Sequence, residues 1–388
     1  MSLKRSIGLL ALILSTTVWA QVVDESLESG GLSAAWALTT KSGMTLEGST
    51  LAAHRGRYGL RLVDAEDAVD AQPGAFFSRT IDVPAPTLFT RLWLRKVSSN
   101  RLGGASIWLA LERKGSASVE GTAFAWAFDG DGRLSGIEQG LFANGTIDYS
   151  TQAFDSHLDG GWQLLEAAVL GLGDKATVRY AVDGQMVFER RNVTAAADRF
   201  SSVRVGETYA NGPGFRCTLD FDDLRVDPMP MGSRLELDLE SPISQAQCAA
   251  LEVKLMPTFS LDGGAVVAVA APYALQLRVE GLGALFSDSR CAALVSPPSL
   301  AKGQSQQTFY FHAPDAGLIR ATVEHDELPS GDFIPGSATA TVLPPGSGSQ
   351  SYYAVHCQGC ASGPESAGFF AVVVLLAQRA RRSKRRAG

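Results

Sequence analysis

Short apolar runs that alternate residue by residue, each closed by a glycine or proline turn, recur along most of this chain. Ile107, Leu109 and Leu111 fall on one face of an extended segment, while Ser106, Trp108, Ala110 and Glu112 fall on the other, as a period of two requires. Phe124, Trp126 and Phe128 likewise share a face opposite Ala123, Ala125 and Ala127, a large-against-small pattern that suits the inside of a sandwich. That run enters Asp129-Gly-Asp-Gly132, and the run Val178 to Val182 enters Asp183-Gly184 before Met186-Val187-Phe188. Asp-Gly pairs supply the positive φ angles that tight hairpin turns demand, so both read as hairpins. With forty glycines and seventeen prolines to interrupt longer periods, the chain is expected to be all-β.

Two breaks organise the chain. Asp227-Pro-Met-Pro-Met-Gly232 places two prolines where no ladder tolerates them, and a new alternating run begins at Arg234. Leu343-Pro-Pro-Gly-Ser-Gly-Ser-Gln350 is a flexible stretch. The expected domains are residues 22–228 and 233–343, followed by a linker over 344–356, since about 340 residues exceed one ordinary core.

The first region carries Gly160-Gly-Trp162-Gln-Leu-Leu-Glu166, Val178-Arg-Tyr-Ala-Val182-Asp-Gly184 and the closing Leu219-Asp-Phe-Asp-Asp223-Leu-Arg-Val226. With the opening Asp24-Glu-Ser-Leu-Glu28-Ser-Gly30, Trp36 and His54-Arg-Gly-Arg-Tyr-Gly59-Leu-Arg-Leu62, it resembles the concanavalin A-like (laminin G-like) jelly roll. Such a fold buries one face of each of two sheets and leaves an outer face able to bind glycans. Phe89, Arg91, Trp93 and Arg95 alternate onto one side of a strand, opposite Leu88, Thr90, Leu92 and Leu94. Aromatic faces stack on sugar rings and guanidinium forks bond hydroxyls or carboxylates, so these four form the candidate carbohydrate platform, with Trp108 and Glu112 extending it. The competing expectation is that the aromatic rings lie under a loop. The resemblance also implies a structural calcium ion, with Glu28 and Asp222 or Asp223 as oxygen ligands, as the one cofactor to test.

Glu236-Leu-Asp238-Leu-Glu240 is close to the Glu-x-Asp-x-(x)-Glu motif of family 16 glycoside hydrolases, which share that fold. Here the acids follow the Pro-Met-Pro break, and Ser241-Pro-Ile243 departs from the family pattern. They are expected on an exposed strand face with Leu235, Leu237 and Leu239 inward. The five histidines show no close metal-ligand spacing, and no catalytic residue is assigned.

The second region alternates apolar runs with turns at Leu251 to Leu255, Ala265 to Val269, Ala274 to Val279, Thr308 to Phe311, Leu318 to Val323 and Ala338 to Val342. Several strands in about a hundred residues suit an immunoglobulin-like sandwich. Its two cysteines, Cys248 and Cys291, read as a disulfide in an exported protein. With Phe286-Ser-Asp-Ser-Arg-Cys291 and Thr308-Phe-Tyr-Phe311, the region resembles immunoglobulin-like modules of secreted myxobacterial proteins, which implies a spacer role. Cys217 is left as a buried free thiol.

The ends read as addresses. Lys4 and Arg5 precede the apolar stretch Ile7 to Leu14, and Val18-Trp19-Ala20 offers a cleavage site, so residues 1–20 are expected to be a signal peptide. At the other end Cys357-Gln-Gly-Cys360 precedes an apolar run from Ala367 to Ala377 and the cations Arg379, Arg381, Arg382, Lys384, Arg385 and Arg386. As a helix that run covers roughly 17 Å, short of the roughly 30 Å hydrocarbon core. Residues 357–388 resemble the MYXO-CTERM sorting signal of myxobacterial surface proteins. That resemblance implies membrane association through the tail, recognition by a sorting protease, processing near Cys357 and Cys360, and attachment at the cell surface.

Setting aside the two basic residues of the leader, and the six basic and one acidic residues of the tail, leaves 26 basic and 39 acidic residues, a net charge of −13. So acidic a body argues against nucleic acid as a partner. The expected function is non-enzymatic: a surface-anchored, lectin-like adhesion or polysaccharide-binding protein, whose partner is an extracellular polysaccharide or cell-surface glycan. The alternatives are a structural envelope protein that makes protein contacts and, less favoured, a polysaccharide-cleaving hydrolase.

Overall fold

Among the described residues the alternating runs fold as strands, and no α-helix occurs. The structure, a computed structural model, describes residues 23–345 except 41–42, 66–73, 84–85, 100–105, 115–118, 143–146, 172–174, 194–198, 211–215, 261–272, 281–283, 314 and 326–332. The side chains of 82, 106–114, 119–123, 139–142, 147–151, 199, 209–210 and 324–325 are also outside the description. The expected signal peptide, the linker from residue 346 onward, the tail and the run Ala265 to Val269 therefore lie outside the described residues. Among the described residues no helix is long and apolar enough to cross a membrane.

Two large sheets form the first sandwich. One runs in the order Gln185–Val193, Ala176–Val182, Gln163–Leu170, Thr87–Ser99, Cys217–Asp227, Gly59–Asp64, Met44–Ser49, and Val23–Glu25 also pairs with Cys217–Asp227. The other runs Ile147–His157, Arg133–Phe142, Val119–Phe128, Ser106–Lys114, Arg199–Ala210, Phe76–Val83, Ala37–Thr39. Leu88, Leu92 and Leu94 from the first sheet share a core with Phe124, Trp126 and Phe128 from the second. Placing these aromatic rings inside agrees with their opposition to alanines in the sequence. Asp183 and Gly184 both take positive φ, 49° and 72°, as a tight hairpin requires.

Smaller sheets form the second sandwich. Gly232–Leu239, Cys248–Pro257 and Gln306–His312 make one, and Ile243–Ser244, Gly336–Leu343, Gly317–His325, Tyr273–Val279 and Ser299–Leu300 make the other. Leu235, Leu237 and Leu239 point into its core with Leu251, Val253, Phe309 and Phe311, while Glu236, Asp238 and Glu240 stay exposed. Cys248 and Cys291 are joined, their Cα atoms 5.9 Å apart. Closing a loop with a sequence separation of 43 removes chain entropy worth about 4 kcal/mol on the loop-closure model. Cys217 is a free, buried thiol, and burial, reinforced by Glu207 and Asp64, pushes it well above its usual range. It is therefore inert rather than reactive.

Both sandwiches belong to one compact unit that ends at Pro345. They meet on the outward face of the sheet that contains Thr87–Ser99, and this fixes what that face is free to do.

Candidate functional site

Period two turns Leu88, Leu92 and Leu94 inward, so Phe89, Arg91, Trp93 and Arg95 line the outward face of their strand. The four residues do not share one environment. Phe89 is buried with Ala168 and Ala181 against Phe259 of the second sandwich and Met231 of the connecting segment. Arg91 is also buried; its Nη1 donates to the Gly232 carbonyl at 2.6 Å, and its guanidinium lies 5.2 Å from the Phe333 ring centre. As a sugar platform these two need correction, because the second sandwich covers the surface they would offer. Trp108 needs correction as an extension of the platform. Its strand, Ser106–Lys114, belongs to the opposite sheet, and its side chain and that of Glu112 are outside the described residues.

Further along the face, the cover comes from the first sandwich itself. Trp93 is buried and stacks on His54 with ring centres 3.9 Å apart and planes 21° from parallel. His54 sits in the segment after the short turn Thr50–Ala52, so the expectation that a loop covers these rings describes Trp93. Trp162 meets His54 edge-on at 5.1 Å, and the Arg95 guanidinium stands 4.9 Å from the Trp162 ring centre. Trp162 is only half-buried. Arg95 is also part-exposed, its Nη2 donating to the Leu51 carbonyl at 2.6 Å and to Asp220 Oδ2 at 2.6 Å. Arg61 approaches the same carboxylate from the neighbouring strand, Nε to Oδ1 at 2.7 Å and Nη2 to Oδ2 at 2.9 Å. Asp220 is fully buried between two guanidiniums and holds both in place.

The acids considered for calcium sit beside this cluster. Leu219 and Phe221 face the core, and so do Leu224 and Val226; the change of parity marks a bulge in which Asp223 takes φ 49°. The extra residue turns both Asp222 and Asp223 outward toward the His54 loop. Asp222 Oδ2 accepts from the backbone N–H groups of His54 at 2.7 Å and Arg55 at 3.2 Å, and its Oδ1 from Asp223 N at 2.9 Å. Asp223 lies 3.9 Å from His54 Nδ1 and 3.6 Å from Arg55 Nη2. Glu28 Oε2 accepts from Arg57 N at 2.7 Å.

Burial, then the neighbouring Asp223 charge, pushes Asp222 up to about 8 against its backbone hydrogen bonds. Burial works against the Asp223 charge as well, but His54, Arg55, Arg225 and Arg91 hold it below the usual carboxylate range. The two carboxylates therefore titrate as a coupled pair in which Asp223 gives up its proton before Asp222. Glu28 and Asp222 thus accept backbone N–H groups of residues 54–57, while Asp223 faces the His54 and Arg55 side chains; no group of three or more metal-ligating side chains converges among the described residues. That donor pattern anchors the loop that carries residues 54–57.

Trp162, Glu166 and Asp220 lie inside the motifs that carry the jelly-roll resemblance, yet nothing local marks them as site residues. They gain their roles from the loop and the second sandwich that pack on them.

No family model matches the sequence. No curated protein matches it either. Among solved structures, an endo-beta-1,4-glucuronan lyase from the fungus Trichoderma reesei is similar at 14% identity and a TM-score of 0.38, over 51% of this chain and 93% of that one. A marine PL-14 alginate lyase from Aplysia kurodai gives 11%, 0.35, 48% and 90% in the same order. The binding domain of Paraclostridial Mosquitocidal Protein 1 gives 9% and 0.34, over 79% of this chain and 75% of that one. At these scores the likenesses say nothing about what this chain binds or does.

Proposed function

We propose that this chain is a non-enzymatic, surface-anchored protein whose first sandwich binds an extracellular polysaccharide or cell-surface glycan. The observation that carries the reading is Trp162, a half-buried indole flanked by the part-exposed Arg95 guanidinium at 4.9 Å and steadied edge-on by His54. A part-exposed indole with a guanidinium held over it is a surface on which a sugar can pack and meet a fixed positive charge. Because Asp220 and the Leu51 carbonyl already hold Arg95, little side-chain freedom is lost on binding.

The disposition of the acids supports binding over cleavage. Asp220, Asp222 and Asp223 are engaged by guanidiniums or loop N–H groups, and Glu166 by hydroxyls of the second sandwich. Glu236, Asp238 and Glu240 lie along an open strand face, where Asp238 pairs with Lys254 at 3.3 Å. Display at the cell surface rests on the sequence: an export leader, a disulfide-bearing second region and a tail of the MYXO-CTERM type, to be processed near Cys357 and Cys360. A structural envelope role is the second reading, favoured by the fact that Phe89 and Arg91 are taken up in packing the two sandwiches together.

Affinity electrophoresis of the wild-type chain and Trp162→Ala through a panel of neutral and acidic polysaccharides tests the proposal. The expected result is retention of the wild type by at least one polysaccharide and loss of that retention in the variant, which still unfolds in a single cooperative transition. A wild type retained by none of them, or a variant retained as strongly, overturns it.

A further inference from the structure

The seam between the sandwiches is built around a charged pair. Arg91 and Glu166 stand directly opposite each other in the register of Thr87–Ser99 and Gln163–Leu170, both on the outward face and both buried. The second sandwich supplies hydrogen-bond partners to each. Ser233 Oγ and Thr258 Oγ1 donate to the Glu166 carboxylate, the latter at 2.5 Å, and Gly232 O accepts from Arg91. Phe333 lies against the guanidinium, and Phe89, Ala168 and Ala181 meet Phe259 alongside. At the rim, a methyl group placed on Gly184 would stand 3.0 Å from Ile334 Cδ1, so the hairpin tip also abuts the second sandwich.

Other charged groups face the pair as well. Arg234 acts on Glu166 together with Arg91; Arg225, opposite Arg91 on the next strand, pairs with Asp24 at 3.2 Å; and Asp223 lies within the field of Arg91. Asp183, in the hairpin turn, accepts from Leu164 N at 2.8 Å.

A purely apolar seam would leave the first sandwich with a sticky face whenever the two parts separated. Here the separated face would carry an opposite-charge cross-strand pair, which water satisfies without help. Docked, the same charges are stranded unless Ser233, Thr258 and Gly232 are in register, so the pair tolerates only one docked geometry. We propose that Arg91 and Glu166 form a polar latch that fixes the second sandwich in one orientation on the first, making it a brace rather than a freely swinging spacer. This holds whether or not the head binds a glycan.

Backbone relaxation of the full-length chain by nuclear magnetic resonance tests the latch. The wild type is expected to tumble as one body, with a single rotational correlation time for both sandwiches. The double variant Arg91→Ala with Glu166→Ala is expected to split into two shorter values while each sandwich keeps its dispersed amide spectrum. Two values in the wild type, or one in a folded double variant, overturn the proposal. Should the double variant fail to fold, Ser233→Ala with Thr258→Val decides the matter. It removes the donors to Glu166 from the second sandwich alone; two correlation times support the latch and one overturns it.

Discussion

The outward face of Thr87–Ser99 is a single chemical pattern, aromatic then arginine twice over, yet its two halves have different fates. Phe89 and Arg91 are closed over by the second sandwich, and Trp93 and Arg95 by a loop of the first sandwich, with the cover thinning until Trp162 and Arg95 reach solvent. Each half also sets a buried carboxylate against its arginine: Glu166 beside Arg91, and Asp220 beneath Arg95 and Arg61. What distinguishes them is the source of the compensation. Glu166 takes its hydrogen bonds from hydroxyls of the other sandwich, whereas Asp220 is held by guanidiniums of its own. A residue pattern on a strand therefore names the chemistry available, and the covering segment decides whether that chemistry packs or binds.

If the two halves differ as described, damage to the loop-covered half is felt within the first sandwich alone. Trp93→Ala is expected to have the largest effect. It removes a buried indole stacked on His54 and lowers unfolding free energy by about 3–5 kcal/mol. Chemical denaturation followed by tryptophan fluorescence measures this, and a loss below about 1 kcal/mol would mean the loop is not a true lid. Asp220→Ala ranks next. Arg61 and Arg95 lose their shared carboxylate but keep some contact with water, so a loss of about 2–3 kcal/mol is expected by the same measurement. It should also weaken glycan retention, because Arg95 is then no longer held beside Trp162.

The sequence made some of this legible and hid the rest for physical reasons. Strand alternation and Asp-Gly turns are local, so the hairpin at Asp183-Gly184, the inward Trp126 and the exposed Glu236, Asp238 and Glu240 could be read directly. The joining of Cys248 to Cys291 followed from there being just two cysteines in that region. Sheet membership is not local. Ser106–Lys114 follows Thr87–Ser99 in the chain but crosses to the opposite sheet, which is why Trp108 does not extend the face of Trp93. The bulge at Asp222-Asp223 is also silent in sequence, since a regular strand would send the two carboxylates to opposite sides. Burial of Phe89 and Arg91 depends on Phe259 and Phe333, more than 150 residues away.

The smallest expected effect is read at the seam carboxylate. Burial raises the pKa of Glu166 above the usual carboxylate range, opposed by its hydrogen bonds from Ser233 and Thr258 and by the charges of Arg91 and Arg234. A carboxylate raised in the folded state holds its proton more firmly there than in the unfolded chain. Its contribution to stability is thus complete below the ordinary carboxylate range and drains away as pH rises through the raised value. Glu166→Gln keeps the shape and cannot ionise, so its stability should match the wild type in acid and exceed it at neutral pH and above. Melting temperatures of the two proteins across that range should diverge as pH rises. Curves that stay parallel would mean the seam stabilises the charged carboxylate as well as water does.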